Sequence, residues 1–296
     1  MIEARPDSSV GTRAVRSQDF ASRLSRALRG AAFWIPIAGL VVWLLVPFLT
    51  TLSVSLKSQG QVFAQPGLIP REPSLDAYRQ VFERPDFLSA LANSAIVGVG
   101  TCLLTIMLAV PAGYAFTRFR FRGRHLLLLL LLLPRLVPSV GIMVPLYRIG
   151  AALGALNSRL TLVVVYTGML LPLAIWLMVG FFQSIPRELE EAANVDGTTL
   201  WQRLRFVVLP LTIPALITIG VLAFREAWNE FQLVLVLTTS ADKRTLPFAL
   251  YSLQSEGLAN LPMESAFALL TILPLILVYL RIERYVVEGI TSGAIK

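Results

Sequence analysis

The feature that most constrains this chain is the length of its charge-free apolar segments. The first segment, residues 30–56, contains 27 residues without a charged side chain. As an α-helix it would be about 40 Å long, which exceeds the roughly 30 Å hydrocarbon core of a bilayer. Hydrophobic residues make up 55% of the sequence and charged residues only 15%, a balance too apolar for a water-soluble surface. The sequence therefore predicts a membrane protein, and the length of this segment argues against a cleavable signal peptide.

Five further apolar segments are long enough to cross a bilayer as helices. The third of the six segments carries Arg135 in its interior, and the fifth carries several charged residues. The predicted fold is all-α: a polytopic membrane protein with six transmembrane helices and both termini on one side. The five segments are residues 87–117, 126–147, 160–182, 211–237 and 265–280.

Lys and Arg residues are distributed unevenly between the two sides of this arrangement. Sixteen lie on the side of the N-terminus, eight lie on the opposite side, and Arg135 and Arg225 lie within predicted spans. Because short basic loops stay in the cytoplasm, both termini are predicted to be cytoplasmic. Residues 1–30 are interpreted as an Arg-rich cytoplasmic tail, and residues 31–296 as the transmembrane domain. The basic loops explain the net charge of +8 without a nucleic-acid partner.

Residues 184–210, between the fourth and fifth predicted spans, have the features of two short helices joined by a turn. Ser184 is a predicted N-cap, and Glu188 lies near the positive end of the first helix. Asp196-Gly197 is predicted to end that helix, since glycine readily adopts the left-handed conformation of a sharp turn. The residues alone leave two interpretations: a docking element for a soluble partner, or an amphipathic connector lying on the lipid surface.

The spacing within this segment resembles the EAA motif of the permeases of binding-protein-dependent ABC importers. Glu191-Ala192-Ala193 is followed after three residues by Gly197, and after nine more by Val-Val-Leu-Pro at residues 207–210. The resemblance implies coupling helices that dock in a cleft of a cytoplasmic ATPase dimer. It also implies a second homologous permease subunit, an extracytoplasmic substrate-binding protein, and a location in a bacterial or archaeal cytoplasmic (inner) membrane. The coupling residues it implies are Glu190, Glu191, Ala192, Ala193, Asp196 and Gly197.

Further segments extend the resemblance to the maltose-type, carbohydrate-uptake branch of that family, and in particular to its smaller permease subunit. The resemblance implies transport of a sugar, oligosaccharide or polyol, with an anionic derivative such as a sugar phosphate as the alternative. It also implies that Ser292, Gly293 and Lys296 contact the ATPase. The supporting segments are residues 74–78, 93–94, 113–118, 144–147, 227–231 and 291–296.

Charged and amide side chains within the predicted spans form a second group of candidate site residues. Arg225, Glu226, Asn229 and Glu230 would fall within about 140° of arc on a helix with 100° per residue. Together with Arg135 they should face protein or a watery cavity, because an unpaired charge in lipid is costly. Three interpretations remain open: structural ion pairs, a lining for the sugar pathway, and contact with an anionic substrate or gating.

Two rival classes of function are weighed against transport driven by a partner ATPase. A membrane-embedded enzyme is disfavoured because the chain offers few catalytic side chains: it has one His, one Cys and no His-Glu-x-x-His motif. The chain also lacks a phosphate-binding loop ending in Lys-Ser/Thr, so ATP and Mg are expected on the partner ATPase. No catalytic residue, metal site or cofactor is therefore predicted on this chain. A self-sufficient channel or secondary transporter is the second rival.

Overall fold

The computed structural model describes the backbone of residues 9–64, 66–255 and 260–294, and the side chains of residues 32–64, 66–255 and 260–282. All regular elements in this part of the chain are helical, which confirms the all-α prediction. The α-helices are α1 (Ser9–Ser55), α2 (Gln59–Ala64), α3 (Asp76–Glu83), α4 (Pro85–Arg118), α5 (Arg124–Leu132), α6 (Ser139–Ala152), α7 (Arg159–Ser184), α8 (Arg187–Val195), α9 (Leu200–Arg203), α10 (Leu209–Leu211), α11 (Ile213–Asn229), α12 (Gln232–Leu237), α13 (Leu246–Ser255) and α14 (Leu261–Ala294).

Four of these helices contain segments long and apolar enough to cross a membrane. They belong to α1, α4, α7 and α14, and they coincide with the first, second, fourth and sixth predicted spans. α7 is the most enclosed of the four, whereas the most apolar stretch of α1 has no residue buried within the chain. α1 already begins at Ser9, so the backbone of the predicted tail is continuous with the first span from that residue.

The predicted third span is a broken helix. α5 is followed by a 3-10 turn at Leu133–Leu136, and α6 then leaves at an angle of 95°. Val137 and Pro138 at the bend have extended ψ angles of 122° and 142°. A proline disfavours the helical conformation of the residue before it and cannot donate a helical hydrogen bond, which accounts for the break at this position.

The predicted fifth span is also interrupted. α11 ends at Asn229, Glu230 has an extended ψ of 129°, and α12 starts at Gln232. The prediction of one polar helical face is therefore wrong for Glu230, because that residue lies beyond the end of α11. At its other end α11 meets the segment Leu200–Leu211 at 78°. The described residues contain four candidate spans without a sharp bend, or up to six if each bent pair counts as one, so the six-span count stays a prediction.

α4 forms the centre of the packing, with α7 and α11 along its length. An ideal Cβ atom at Gly113 would lie only 2.6 Å from the Cβ of Met178, so the missing side chain permits the close approach of α4 and α7. Around this contact lies an apolar core that includes Tyr114, Phe182 and Val208. This core joins the ends of α4 and α7 to the segment that contains α8 and α9.

At the opposite end of the bundle, the loop between α12 and α13 is fastened to α4 and to the loop that precedes α7. The side-chain nitrogen Nδ2 of Asn93 donates to the backbone carbonyls of Asp242 and Arg244 at 2.9 and 2.8 Å. Asn157, which has a φ of 59°, accepts from the backbone N–H groups of Thr239 and Ser240. These bonds hold the C-terminal end of the broken fifth span against α4 and against the loop that precedes α7.

Candidate functional site

The segment between α7 and α11 begins with α8. The prediction that Ser184 caps this helix is wrong, because α7 continues to Ser184, whose hydroxyl donates to the carbonyl of Phe181. Pro186 directly precedes α8, with a φ of −56° and a ψ of 134°. Proline suits this position because the first N–H groups of a helix have no partner within the helix. α8 therefore starts two residues later than an N-cap at Ser184 would place it.

The turn after α8 has the geometry that the Asp-Gly pair predicts. Gly197 has a φ of 80°, in the left-handed region that glycine adopts without steric cost. The N–H of Gly197 donates to the carbonyl of Asn194, and the N–H of Thr198 donates to that of Ala193. These two bonds form a Schellman motif, which satisfies carbonyls that the end of α8 would otherwise leave unpaired.

α9 is fixed at its start and is tied to α8. Thr199 and Gln202 form a capping box, in which each side chain bonds the backbone N–H of the other residue. The guanidinium of Arg203 donates to the side-chain oxygen of Asn194 at 2.9 Å. The two helices and their turn therefore form one small unit with defined geometry.

This unit is joined to α4 through Glu190. The Glu190 carboxylate accepts hydrogen bonds from the Tyr114 hydroxyl and from Nε of Arg118, both at 2.6 Å. The Arg118 and Glu190 side chains are each only 10% exposed. A second nitrogen of Arg118 donates to the carbonyl of Ile185, and Arg187 donates to the carbonyl of Thr117. A charged and largely buried cluster thus connects the end of α4 to the base of α8.

Tyr114 and Arg118 are functional candidates that sequence reasoning missed. They lie 76 and 72 residues from Glu190, so no local spacing links them to it. The only available signal was the segment 113–118, which supports the family resemblance without indicating a contact. Ala192 and Ala193, also predicted as coupling residues, lie on α8 beside Glu190.

The tip of the unit exposes apolar side chains to solvent. Val195 is 87% exposed and Trp201 is 63% exposed, and Leu200 beside it is exposed as well. Glu191, Asp196 and Gly197 are also exposed. Among the described residues Glu191 takes part in no ion pair. The unit therefore combines a buried polar base with an exposed, partly apolar tip.

A second candidate site is a cavity of about 770 Å³ at the bend between α5 and α6. Polar side chains from both broken spans and from α7 line it, among many apolar ones: Arg135, Ser139, Tyr166, Glu226 and Glu230. Gln232, next to the break in the fifth span, contacts the hydroxyl of Ser139 at the break in the third span. The cavity therefore lies where the two interrupted spans meet.

Glu230 is held by groups within the protein. Its carboxylate accepts from the Tyr166 hydroxyl at 2.7 Å, from the N–H of Leu233 at 2.9 Å and from the N–H of Val234 at 3.4 Å. It thereby caps the first turn of α12, where a negative charge is favourable. Within the described part of the chain no cation pairs with Glu230, so the ion-pair interpretation does not describe this residue.

The other predicted pathway residues are not all brought together. Arg225 and Glu226 form an exposed pair at 3.4 Å, and the side chain of Asn229 donates to the carbonyl of Arg225. Arg135 donates weakly to the carbonyl of Met169 at 3.5 Å. Arg135, Glu226 and Glu230 line the cavity, whereas Arg225 and Asn229 are not among its lining residues. The transport roles of all five stay predictions.

The C-terminal prediction falls at the limit of the described residues. The backbone of Ser292 and Gly293 belongs to α14, but their side chains and the whole of Lys296 lie outside the described residues. In the part of the chain whose side chains are described, no group of three or more His, Cys, Asp or Glu could hold a metal ion.

Comparison with known proteins places these features in a family. The protein-family model described as "Binding-protein-dependent transport system inner membrane component" matches residues 87–292. The chain is 37% identical to the trehalose transport system permease protein SugB of Mycobacterium tuberculosis, over 90% of this chain and 98% of that protein. It is 37% identical to the sulfoquinovosyl glycerol transport system permease protein SmoH of Agrobacterium fabrum, over 85% of this chain and 89% of that protein.

A solved structure supports the same assignment at the level of the fold. It is the crystal structure of a bacterial ABC transporter involved in the import of the acidic polysaccharide alginate. The matching chain superposes with a TM-score of 0.76 at 25% sequence identity, covering 88% of this chain and 97% of that chain. The family model covers more than half of the chain, and both relatives align with most of their length. The chain belongs to the family of inner membrane components of binding-protein-dependent transport systems.

Proposed function

We propose that this chain is a permease subunit of an ATP-driven importer that translocates a carbohydrate delivered by an extracytoplasmic binding protein. The single observation that carries the proposal is the unit formed by α8 and α9, with its buried base and its exposed tip. Family membership supplies the context, because the EAA motif falls on this unit at Glu191, Ala193 and Gly197.

The contacts of the unit support its proposed role as a coupling element. A force applied at the tip must reach the spans, so the base must not yield independently of them. The bonds from Glu190 to Tyr114 and Arg118 connect α8 to α4, which packs along α7 and α11. Exposed Val195 and Trp201 provide apolar area at the tip, as expected for the centre of a protein interface. A docked ATPase would therefore move α4 together with α8.

The remaining parts of the importer are proposed on the same basis. ATP and Mg bind to the ATPase dimer, which docks at the α8 end of the bundle, and this end faces the cytoplasm. A second homologous permease subunit completes the pathway, and the unburied apolar stretch of α1 is available to lipid or to that subunit. Both termini are cytoplasmic in this arrangement, in a bacterial or archaeal inner membrane.

The proposed substrate is a sugar, oligosaccharide or polyol, and the cavity at the two broken spans is its proposed path through this subunit. Interrupted helices tolerate polar groups within a membrane only where they line a cavity or contact protein. An anionic substrate is the alternative: the relatives are named for trehalose and for sulfoquinovosyl glycerol, and the similar solved structure is of a transporter involved in the import of the acidic polysaccharide alginate. Arg135 is the one basic residue among the described lining residues, so it is the position that distinguishes a neutral from an anionic substrate.

Association with the ATPase is tested by a pair of matched substitutions. Val195→Asp places a charge on the tip of the α8–α9 unit, and Ile69→Asp does so at an equally exposed site, 85% against 87%. Burying an unpaired carboxylate in an interface is costly, so Val195→Asp should reduce recovery of co-purifying ATPase by at least about tenfold. Ile69→Asp should leave recovery unchanged. Equal recovery of ATPase with both variants would refute the proposal that this unit docks on the ATPase.

Reconstitution separates the importer from a channel or secondary transporter. Proteoliposomes with the complete complex should accumulate sugar only with ATP and the binding protein present. Substrate flux through this chain alone would refute the importer. Thermal-shift screening of the cognate binding protein with sugars, polyols and sugar phosphates identifies the substrate. If that substrate is anionic, Arg135→Gln should reduce its transport; if it is neutral, the same change should have a much smaller effect.

A further inference from the structure

A cavity separate from the proposed pathway lies at the α8 end of the bundle, between α5, α7 and the base of α8. Its volume is about 530 Å³. Three arginines and the only histidine of the sequence line it, Arg118, Arg124, Arg187 and His125, with Glu188 as the acidic residue among the described lining residues. Because the carboxylate of Glu190 already neutralises Arg118, the remaining positive charge comes from Arg124 and Arg187, and Glu188 offsets one of these two charges.

The guanidinium groups of Arg124 and Arg187 have hydrogen-bonding capacity to spare. Nε of Arg124 donates to His125 at 3.2 Å, and one terminal nitrogen of Arg187 donates to the carbonyl of Thr117 at 3.3 Å. The structure gives neither arginine a carboxylate partner within the described residues. Guanidinium groups bind phosphate oxygens through paired, charge-assisted hydrogen bonds. The polar end of this cavity therefore suits a phosphate-bearing anion.

An apolar cavity of about 330 Å³ follows along the same two helices. Leu128 of α5 lines the basic cavity and Leu131 lines the apolar one, and residues three apart share a helix face. On α7, Val179 lines the basic cavity, and Leu171 and Pro172 line the apolar one. These α7 positions are seven and eight residues from Val179, so they also share its face, about 10–12 Å away along the helix axis. The two cavities thus follow each other along α5 and α7, and the apolar one lies farther from α8.

The apolar cavity lies beside leucines that are exposed at the surface of the chain. Leu127 and Leu130 of α5 line it and are each about half exposed, and their neighbours Leu126 and Leu129 face outward at more than 60% exposure. In a membrane protein such leucines face lipid tails. A molecule with an anionic head and an acyl tail could therefore enter sideways from the bilayer, whereas a free anion would make no use of the apolar part.

We propose that these two cavities form a binding site for one anionic phospholipid from the leaflet at the α8 end. Arg124 and Arg187 hold the headgroup phosphate, and an acyl chain lies in the groove between α5 and α7. In the proposed orientation this is the cytoplasmic leaflet, where basic pockets between membrane helices bind anionic headgroups. Since Arg187 and Thr117 also join α8 to α4, the bound lipid would touch the base of the α8–α9 unit.

The site is tested by titrating the full-length chain, purified in detergent, with phosphatidylglycerol and counting bound lipid by native mass spectrometry. Wild type should retain one phosphatidylglycerol in preference to phosphatidylcholine. Arg124→Gln combined with Arg187→Gln should weaken binding about 25-fold, at about fivefold for each basic residue removed. Arg120→Gln combined with Arg122→Gln removes the same charge from exposed positions outside the cavity and should have little effect.

A second pair of variants tests the groove without changing charge, and it remains informative if the arginine variant fails to fold. Leu130→Trp should fill the apolar cavity and weaken phosphatidylglycerol binding, whereas Leu129→Trp, on the lipid-facing side, should not. Glycerol phosphate tests for a free anion: it should not compete at the concentrations at which phosphatidylglycerol binds. Competition by glycerol phosphate, equal binding of phosphatidylcholine, or equal losses in a variant and its control would each overturn the lipid site.

Discussion

Replacing Glu190 with alanine should destabilise the folded chain much more than the same replacement at Glu191. Alanine is a better helix former than glutamate, so the helix itself should not suffer. The change leaves the Arg118 guanidinium, 10% exposed, without its carboxylate. Removing one partner of a buried ion pair costs about 3–5 kcal/mol in the free energy of unfolding. Because Arg118 keeps its bond to the carbonyl of Ile185, we expect the lower end, about 3 kcal/mol.

That loss corresponds to a melting temperature lower by about 6–12 °C, at about 2–4 °C per kcal/mol for chains of this size class. It is measured on detergent-purified chain by thermal unfolding. Glu191→Ala is the matched control, since it removes the same charge from an exposed position on the same helix. It should leave the melting temperature within about 2 °C, as surface substitutions usually change stability by less than about 0.5 kcal/mol.

A double-mutant cycle decides whether the effect belongs to the pair. Arg118→Ala alone leaves the Glu190 carboxylate without its cation. The stability loss of the double variant should therefore be smaller than the sum of the two single losses, by about 0.5–3 kcal/mol. Raising the salt concentration should change this coupling little, because buried pairs are weakly screened. Equal melting temperatures for Glu190→Ala and Glu191→Ala, or additive losses in the cycle, would refute the argument that this cluster holds α8 to α4.

Three further changes test the other elements of the two sites. Gly197→Val places a β-branched residue at a positive φ, which should lower the free energy of unfolding by about 1–3 kcal/mol and uncouple ATP hydrolysis from transport. Gly197→Asn should retain coupling, because asparagine tolerates that conformation. The measurement is the amount of substrate transported per ATP hydrolysed. Tyr166→Phe removes a donor to Glu230 and should lower stability by about 1–3 kcal/mol, against no change for the same substitution at exposed Tyr147 in thermal unfolding. Deletion of residues 292–296 should lower substrate-stimulated ATPase activity of the complex without loss of membrane insertion, and unchanged activity would exclude a role for this tail.

The sequence predicted the straight spans well and the broken ones poorly. Length and hydropathy locate α1, α4, α7 and α14 because these helices must satisfy all backbone groups internally while facing lipid or other helices. Hydropathy reports how apolar a segment is, but it carries no information on the direction in which the helix axis continues after a break. Pro138 predicts a bend, yet the 95° angle depends on what α6 packs against. α11 ends before Glu230, whose carboxylate accepts hydrogen bonds from N–H groups of α12. Residue spacing alone had assigned Glu230 and the residues of α12 to the same helix as α11.

The candidate sites show the same limit at the level of side chains. The motif selected Glu190 together with Glu191, although one carboxylate is buried against α4 and the other is exposed. Nothing in the local pattern separates them, because both are acidic and adjacent, and the partners Tyr114 and Arg118 are distant in sequence. The Gly197 turn, in contrast, was predictable, since its φ is dictated by the residue itself and by the end of one helix.

The two broken spans explain why several polar side chains line a cavity within an apolar bundle. Interrupting a helix frees backbone N–H and C=O groups that lipid cannot satisfy, so a break is stable only where side chains or water supply partners. Glu230 supplies them for α12, and Ser139 contacts Gln232 across the two breaks. These residues are therefore occupied in maintaining the breaks. Arg135 and Glu226 line the same cavity with weaker or exposed internal contacts, so they are the side chains that we propose for contact with a substrate.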